Sequence, residues 1–96
     1  MNELVLETFG PVVGDTFKVG GGDGARADLL LVEATPQDAG PHAPRPPFSL
    51  LFQGPADPFL PQATYRFEHD GLGVLEMFIV PLGRDEHGTT YEAFFA

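Results

Sequence analysis

The second half of this chain is a series of short aromatic runs cut apart by glycine and proline, a spacing that specifies strands. Phe48-Ser49-Leu50-Leu51-Phe52-Gln53-Gly54-Pro55, Leu60-Pro61-Gln62-Ala63-Thr64-Tyr65 and Tyr91-Glu92-Ala93-Phe94-Phe95 follow one another in this way. Successive side chains of a strand point to opposite faces, so a period of two marks a sheet with one buried side. Tyr65, Phe67 and His69 alternate with Thr64, Arg66 and Glu68 in the cleanest such pattern. Phe48, Leu50 and Phe52 alternate with Ser49, Leu51 and Gln53, and Tyr91, Ala93 and Phe95 with Thr90, Glu92 and Phe94. These inward phases predict a shared core of Tyr65, Phe67, Phe48, Leu50, Phe52, Tyr91 and Phe95.

Three further runs complete the set. Phe17 and Val19 share one face of residues 16–19, and residues 28–34 carry Leu29-Leu30-Leu31-Val32, apolar on both faces as a central strand is. Residues 74–80 form another strand, which Pro81 and Gly83 are expected to close. The turn signals are Gly20-Gly21-Gly22-Asp23-Gly24, two proline-rich stretches at 35–47 and 54–61, and His69-Asp70-Gly71-Leu72-Gly73. Nothing shows sustained 3.6-residue periodicity. The expected fold is all-β: a single small antiparallel barrel or sandwich of about six strands, residues 1–96 as one domain. At most a short N-terminal helical turn precedes Gly10-Pro11, where it would plug a barrel end.

At 96 residues and 43% hydrophobic, the chain can build one modest core. Nine Phe and two Tyr supply much of it, each ring burying on the order of 150 to 250 Å². The absence of Cys removes disulfides, thiolate nucleophiles and thiolate-bound zinc. Met1-Asn2-Glu3-Leu4 has no basic region or long apolar run, so no signal peptide and no membrane span are read, and the expected location is the cytoplasm or a larger assembly. Fourteen acids against five bases give a net charge of -9, which repels phosphate backbones, so nucleic acid and anionic membrane are excluded as partners.

Catalytic chemistry finds little support. Ser49, the single serine, sits mid-strand without the glycine-flanked elbow that exposes a hydrolase nucleophile. Lys18, the single lysine, alternates outward from Phe17 and Val19, unlike a desolvated Schiff-base lysine. The glycine run at 20–24 lacks the Lys-Ser/Thr ending of a phosphate loop. Up-and-down strands would put His42 and His69 at one barrel end and His87 at the other, about 20 Å away at ~3.3 Å per residue. No transition metal or other cofactor is therefore expected. Asp23, Asp57, Asp85 and Glu86 could meet as oxygen ligands for a divalent cation, but lack EF-hand spacing. His69 has the inward phase of Tyr65 and Phe67, which reads as a buried histidine donating to a turn carbonyl ahead of a pocket-lining acid/base, and Arg66 and Glu76 face outward on neighbouring strands, where they could form a cross-strand pair with Glu92.

Phe48, Ser49, Leu50 and Phe52, then Leu60, Pro61, Gln62, Thr64 and Tyr65, then His69, Leu72 and Gly73, then Phe78, Pro81 and Gly83, and finally Tyr91, Glu92, Ala93 and Phe95 form a joint pattern. With the Phe9, Val12, Gly14 and Phe17 spacing it covers nearly the whole chain, and it resembles a small bacterial family of unknown function. Such proteins look like neighbours of phage-tail-like fibre proteins, which implies an assembly role and no catalytic residues.

The sequence thus leads to a non-enzymatic protein-interaction module, an adaptor, accessory or assembly factor that binds another protein or itself. Leu51, Phe59 and Phe94, on outward phases or in a proline-rich loop, are the expected interface, because large apolar groups gain little there in a monomer. The competing expectation is that they cover a second small core under the N-terminal segment. The alternative function is a small-molecule binding barrel with an aromatic pocket at Tyr65, His69 and Tyr91, and metal-dependent catalysis at the acidic loop end ranks last.

Overall fold

The computed structural model describes residues 5–21, 26–37 and 47–95. Six strands, β1 (Thr16–Gly20), β2 (Arg26–Pro36), β3 (Phe48–Gly54), β4 (Ala63–His69), β5 (Gly73–Asp85) and β6 (Gly88–Phe95), close into one antiparallel barrel in the order β1-β2-β3-β6-β5-β4. Two meanders, β1-β2-β3 and β4-β5-β6, meet along the β3–β6 and β1–β4 ladders. Closure leaves each strand with one face inside and one outside. Burial therefore alternates along β1, in the first half of β2 and along β4.

The interior is filled by aromatic rings. Phe17, Phe52, Phe67 and Tyr91 are fully buried, with Leu29, Leu31, Leu50, Met77 and Ile79 around them. All seven residues expected to share a core do so, Phe95 as a half-buried member packed on its rim. A four-residue helix, α1 (Leu6–Phe9), continues into a 3-10 turn, Gly10–Val12, and has no side-chain cap. A single turn is too short to persist by itself. It is held by Phe9, which is fully buried with its ring 6.0 Å from Phe48 and 6.1 Å from Phe95, the last pair of the β3–β6 ladder.

Because β3 and β4 are not neighbours, residues 55–62 must pass over the other end of that ladder. Leu60 drops from this crossing into the barrel and is fully buried. Its amide donates to the Tyr91 hydroxyl at 2.9 Å, and the Thr89 hydroxyl donates to the Pro55 carbonyl at 3.1 Å. Each barrel end is thus stoppered, by Phe9 and by Leu60.

Two expectations need correction. β5 does not stop at Pro81 but continues to Asp85, because β4 ends opposite Ile79 and the strand beyond it has only β6 as a partner. A proline is tolerated where one edge of the strand needs no donor. The register then slips between Pro81 and Gly83, leaving Leu82 as an extra, outward residue. β2 carries a similar bulge at Val32, and it is not a strand buried on both sides: Leu29 and Leu31 are inside while Leu30 and Val32 are 37% and 43% exposed. A single-layer barrel has only one interior. Consecutive strands do run alternately up and down, since every ladder is antiparallel, although β3 and β4 are not neighbours. Residues 22–24 of the expected glycine loop, and His42, lie outside the described residues.

Removing a ring from the packed centre leaves a cavity, so Phe52→Ala should cost about 3 to 5 kcal/mol in urea unfolding. A loss below ~1 kcal/mol would contradict the central placement of Phe52. Two glycines on either side of the β5–β6 turn should behave differently. Gly88 has φ +138° and a Cβ there would strike the Gly54 carbonyl oxygen, whereas a Cβ at Gly83 meets nothing within 4 Å. Gly88→Ala should therefore cost roughly 1 to 3 kcal/mol or more, while Gly83→Ala stays within about 0.5 kcal/mol. Equal midpoints for the two variants would refute this.

Candidate interaction surface

The residues expected to line a pocket are brought into the barrel wall, and their polar atoms are used internally. Leu31 holds the segment before β1, accepting from the Gly14 amide at 2.7 Å and donating to the Asp15 carbonyl at 3.0 Å. Gly14 has φ +98°, a conformation that favours glycine. This fixes Asp15 where its carboxylate meets His69 Nε2 at 2.9 Å. His69 Nδ1 accepts from the amides of Gly71 and Leu72 at 3.0 and 3.1 Å, so the proton sits on Nε2 and is donated to Asp15. The imidazole lies 4.8 Å from the Phe17 ring and its side chain is 9% exposed. Nδ1 thus closes the β4–β5 turn, while Nε2 ties it to the segment before β1.

Tyr65 and Tyr91 are likewise structural. The Tyr65 hydroxyl donates to the Pro61 carbonyl at 2.7 Å, and Tyr91 receives the Leu60 amide. Together they pin the crossing segment to the barrel. Among the described residues, no three His, Cys, Asp or Glu side chains are grouped to hold a metal ion. His69 and His87 flank opposite ends of β5, and Asp85 Oδ1 accepts the His87 amide at 2.8 Å. Asp23 lies outside the described residues. Ser49 is buried, its hydroxyl accepting from Gln37 Nε2 at 2.7 Å.

The outer wall of β3, β6 and β5 differs in character. Phe94 is 57% exposed and stands opposite Ser49, while Phe78 is 50% exposed and stands opposite Thr64. The β5–β6 ladder ends at Val80 and Glu92, and Phe78 and Phe94 are the next residues of the same outward phase beyond it on each strand. No ionisable side chain falls in this Ser49, Phe94, Phe78, Thr64 row. Leu51 shares the outer face of β3 but is half-buried between Glu33 and Glu92. Phe59 does not join them. It is 38% exposed near the far end of the β3–β6 ladder, with the Arg84 guanidinium 5.5 Å above its ring. Glu92 is also remote from Arg66 and Glu76, which pair across β4 and β5, and Arg66 meets Glu68 at 3.9 Å instead. The N-terminal turn covers Phe48 and Phe95, not Phe94.

Phe78 was within reach of the sequence. With Glu76 outward, the period of two puts Val74 and Phe78 on the same outer face. What obscured this is that β5 is apolar in both phases, Leu75, Met77 and Ile79 inside and Val74, Phe78 and Val80 outside.

A profile match over residues 4–95 decides the family. The chain belongs to the family described as Domain of unknown function (DUF6916). No curated protein and no solved structure matches it. Within this DUF6916 chain, no helix among the described residues is long and apolar enough to cross a membrane.

Tyr91→Phe keeps the ring and deletes the acceptor of the buried Leu60 amide, which should cost about 1 to 3 kcal/mol. Hydrogen exchange at Leu60 should accelerate together with the loss in thermal stability. An unchanged exchange rate would show that the Tyr91 hydroxyl does not hold the crossing segment.

Proposed function

We propose that this protein is a non-enzymatic interaction module, an adaptor, accessory or assembly factor of a larger bacterial or phage-tail-like structure, and that it binds another protein through the outer face of β5 and β6. The observation that carries this reading is the pair of half-exposed phenylalanines, Phe78 and Phe94, in a row without charge. A monomer gains nothing from two large rings in water, while an interface core gains from burying them. Glu92 and Glu76 border the row in a chain of net charge -9, so the matching surface is apolar at its centre and cationic at its rim. The bacterial and phage-tail-like context rests on the motif resemblance. The small-molecule alternative has less support, because Tyr65, His69 and Tyr91 spend their polar atoms on the chain's own backbone and Asp15.

The test is co-purification of tagged protein from its host, comparing the wild type with a Phe78→Ser, Phe94→Ser double variant. Both sites are on the solvent side, so each substitution should shift stability by no more than about 0.5 kcal/mol while partner recovery is lost. A folded double variant that recovers the same partner in the same amount would sink the proposal, and cross-links falling elsewhere on the barrel would relocate the interface.

A further inference from the structure

On the wall formed by β1, β2 and β4 runs a groove of about 760 Å³, bordered by Lys18, Arg26, Asp28, Arg66, Glu68 and Glu76. Its floor includes Gly20 and Gly21. The register explains the trough. Gly20 lies opposite Arg66 across the β1–β4 ladder and opposite Arg26 across the β1–β2 ladder. Directly opposed residues share a face, so Arg66, Gly20 and Arg26 form one outward row whose middle member has no side chain. The two arginines are two strand spacings apart, about 10 Å, with an open slot between them.

Charge sets this groove apart from the rest of the molecule. The chain as a whole has five Lys and Arg against fourteen Asp and Glu. The groove gathers Lys18, Arg26 and Arg66 against Asp28, Glu68 and Glu76, an even balance. These cations are not consumed by the barrel. Arg66 reaches Glu68 only at 3.9 Å, with both side chains about half exposed or more, and neither Lys18 nor Arg26 forms an ion pair with a described residue.

We infer that the Arg66–Gly20–Arg26 row binds a carboxylate presented by a polypeptide, as an acidic side chain or a chain terminus. A planar carboxylate accepts paired N–H bonds from a guanidinium, and a slot walled by two of them can hold one such group from both sides. The local charge balance decides against phosphate: the three neighbouring carboxylates and the surplus negative charge of the chain oppose a dianion more strongly than a single charge. The site is on the β1, β2 and β4 wall, and does not rest on the interface at Phe78 and Phe94.

The test is an NMR titration at constant ionic strength, following the side-chain Nε–H signals of Arg26 and Arg66 and the amides of Gly20 and Gly21. The probes are a blocked Gly-Glu-Gly peptide, acetyl-Gly-Gly with a free carboxyl terminus, inorganic phosphate and chloride. Saturable shifts at all four groups with a carboxylate peptide are expected, and the tighter of the two peptides identifies a side chain or a terminus as the source. Arg26→Gln and Arg66→Gln, both on the exposed wall, should each weaken binding about fivefold. Gly20→Glu should place a tethered carboxylate in the slot and abolish the saturable response; if that variant fails to fold, the two glutamine variants decide alone. Shifts that do not saturate, that chloride reproduces, that survive both glutamine substitutions, or that phosphate elicits at lower concentration would overturn the assignment.

Discussion

The contact on which this barrel depends is the triangle of Phe17, Phe52 and Phe67. The three rings come from β1, β3 and β4, with centroids 5.6, 6.1 and 5.2 Å apart. They matter because backbone pairing closes the barrel weakly at one seam: β1 and β4 share only three residue pairs, Lys18–Glu68, Val19–Phe67 and Gly20–Arg66. The other seam between the meanders, β3–β6, has seven pairs, so closure is weakest at β1–β4. Tilted and edge-on aromatic contacts across the interior add the missing cohesion, each worth about 0.5 to 1.5 kcal/mol beyond the area buried. A ring from β3 touching rings from β1 and β4 ties the first meander to the second through the middle of the barrel.

A core filled in this way sets the tasks of the polar residues. Main-chain groups at the two ends still need partners, and burying them unpaired is costly. Tyr91 extends from the core to take the Leu60 amide, Tyr65 takes the Pro61 carbonyl, and His69 takes two turn amides and hands its proton to Asp15. These are the residues that the alternative function, a small-molecule binding barrel, would use to line its pocket. Their use in closing the barrel is the more economical account of why polar aromatics sit at the ends of apolar strands.

The strands themselves were legible because a single-layer barrel imposes a strict period of two, and Tyr65, Phe67, Phe48, Leu50, Phe52 and Tyr91 all keep that phase. Boundaries were less legible, since proline acts as a strand terminator only where both edges are paired. Pro81 has β6 on one side and no β4 on the other, a condition set by where β4 ends. Strand order was invisible, because alternation encodes which face is buried and not which strand lies alongside. That gap also separated Phe59 from Phe94: both are exposed, yet only strand order reveals that Ser49–Phe94 and Gly54–Thr89, the pair beside which Phe59 lies, are at opposite ends of the β3–β6 ladder.

The same alternation divides the outside of the barrel in two. On β4 and β1 the outward phase is charged, giving the Glu68, Lys18 and Asp28 row beside the Arg66, Gly20 and Arg26 row. At the end of β6 and in the middle of β5 it carries large apolar groups, Phe94, Phe78 and Val80. Neither distribution is needed for folding, because an outward position of a closed barrel is stabilised by little more than cross-strand neighbours. Phenylalanine at such a position adds nothing to the core, and a glycine between two arginines subtracts strand propensity while adding nothing to packing. Both departures from what the fold requires lie on the outer surface, which is why the interface and the groove are proposed there and not inside the barrel.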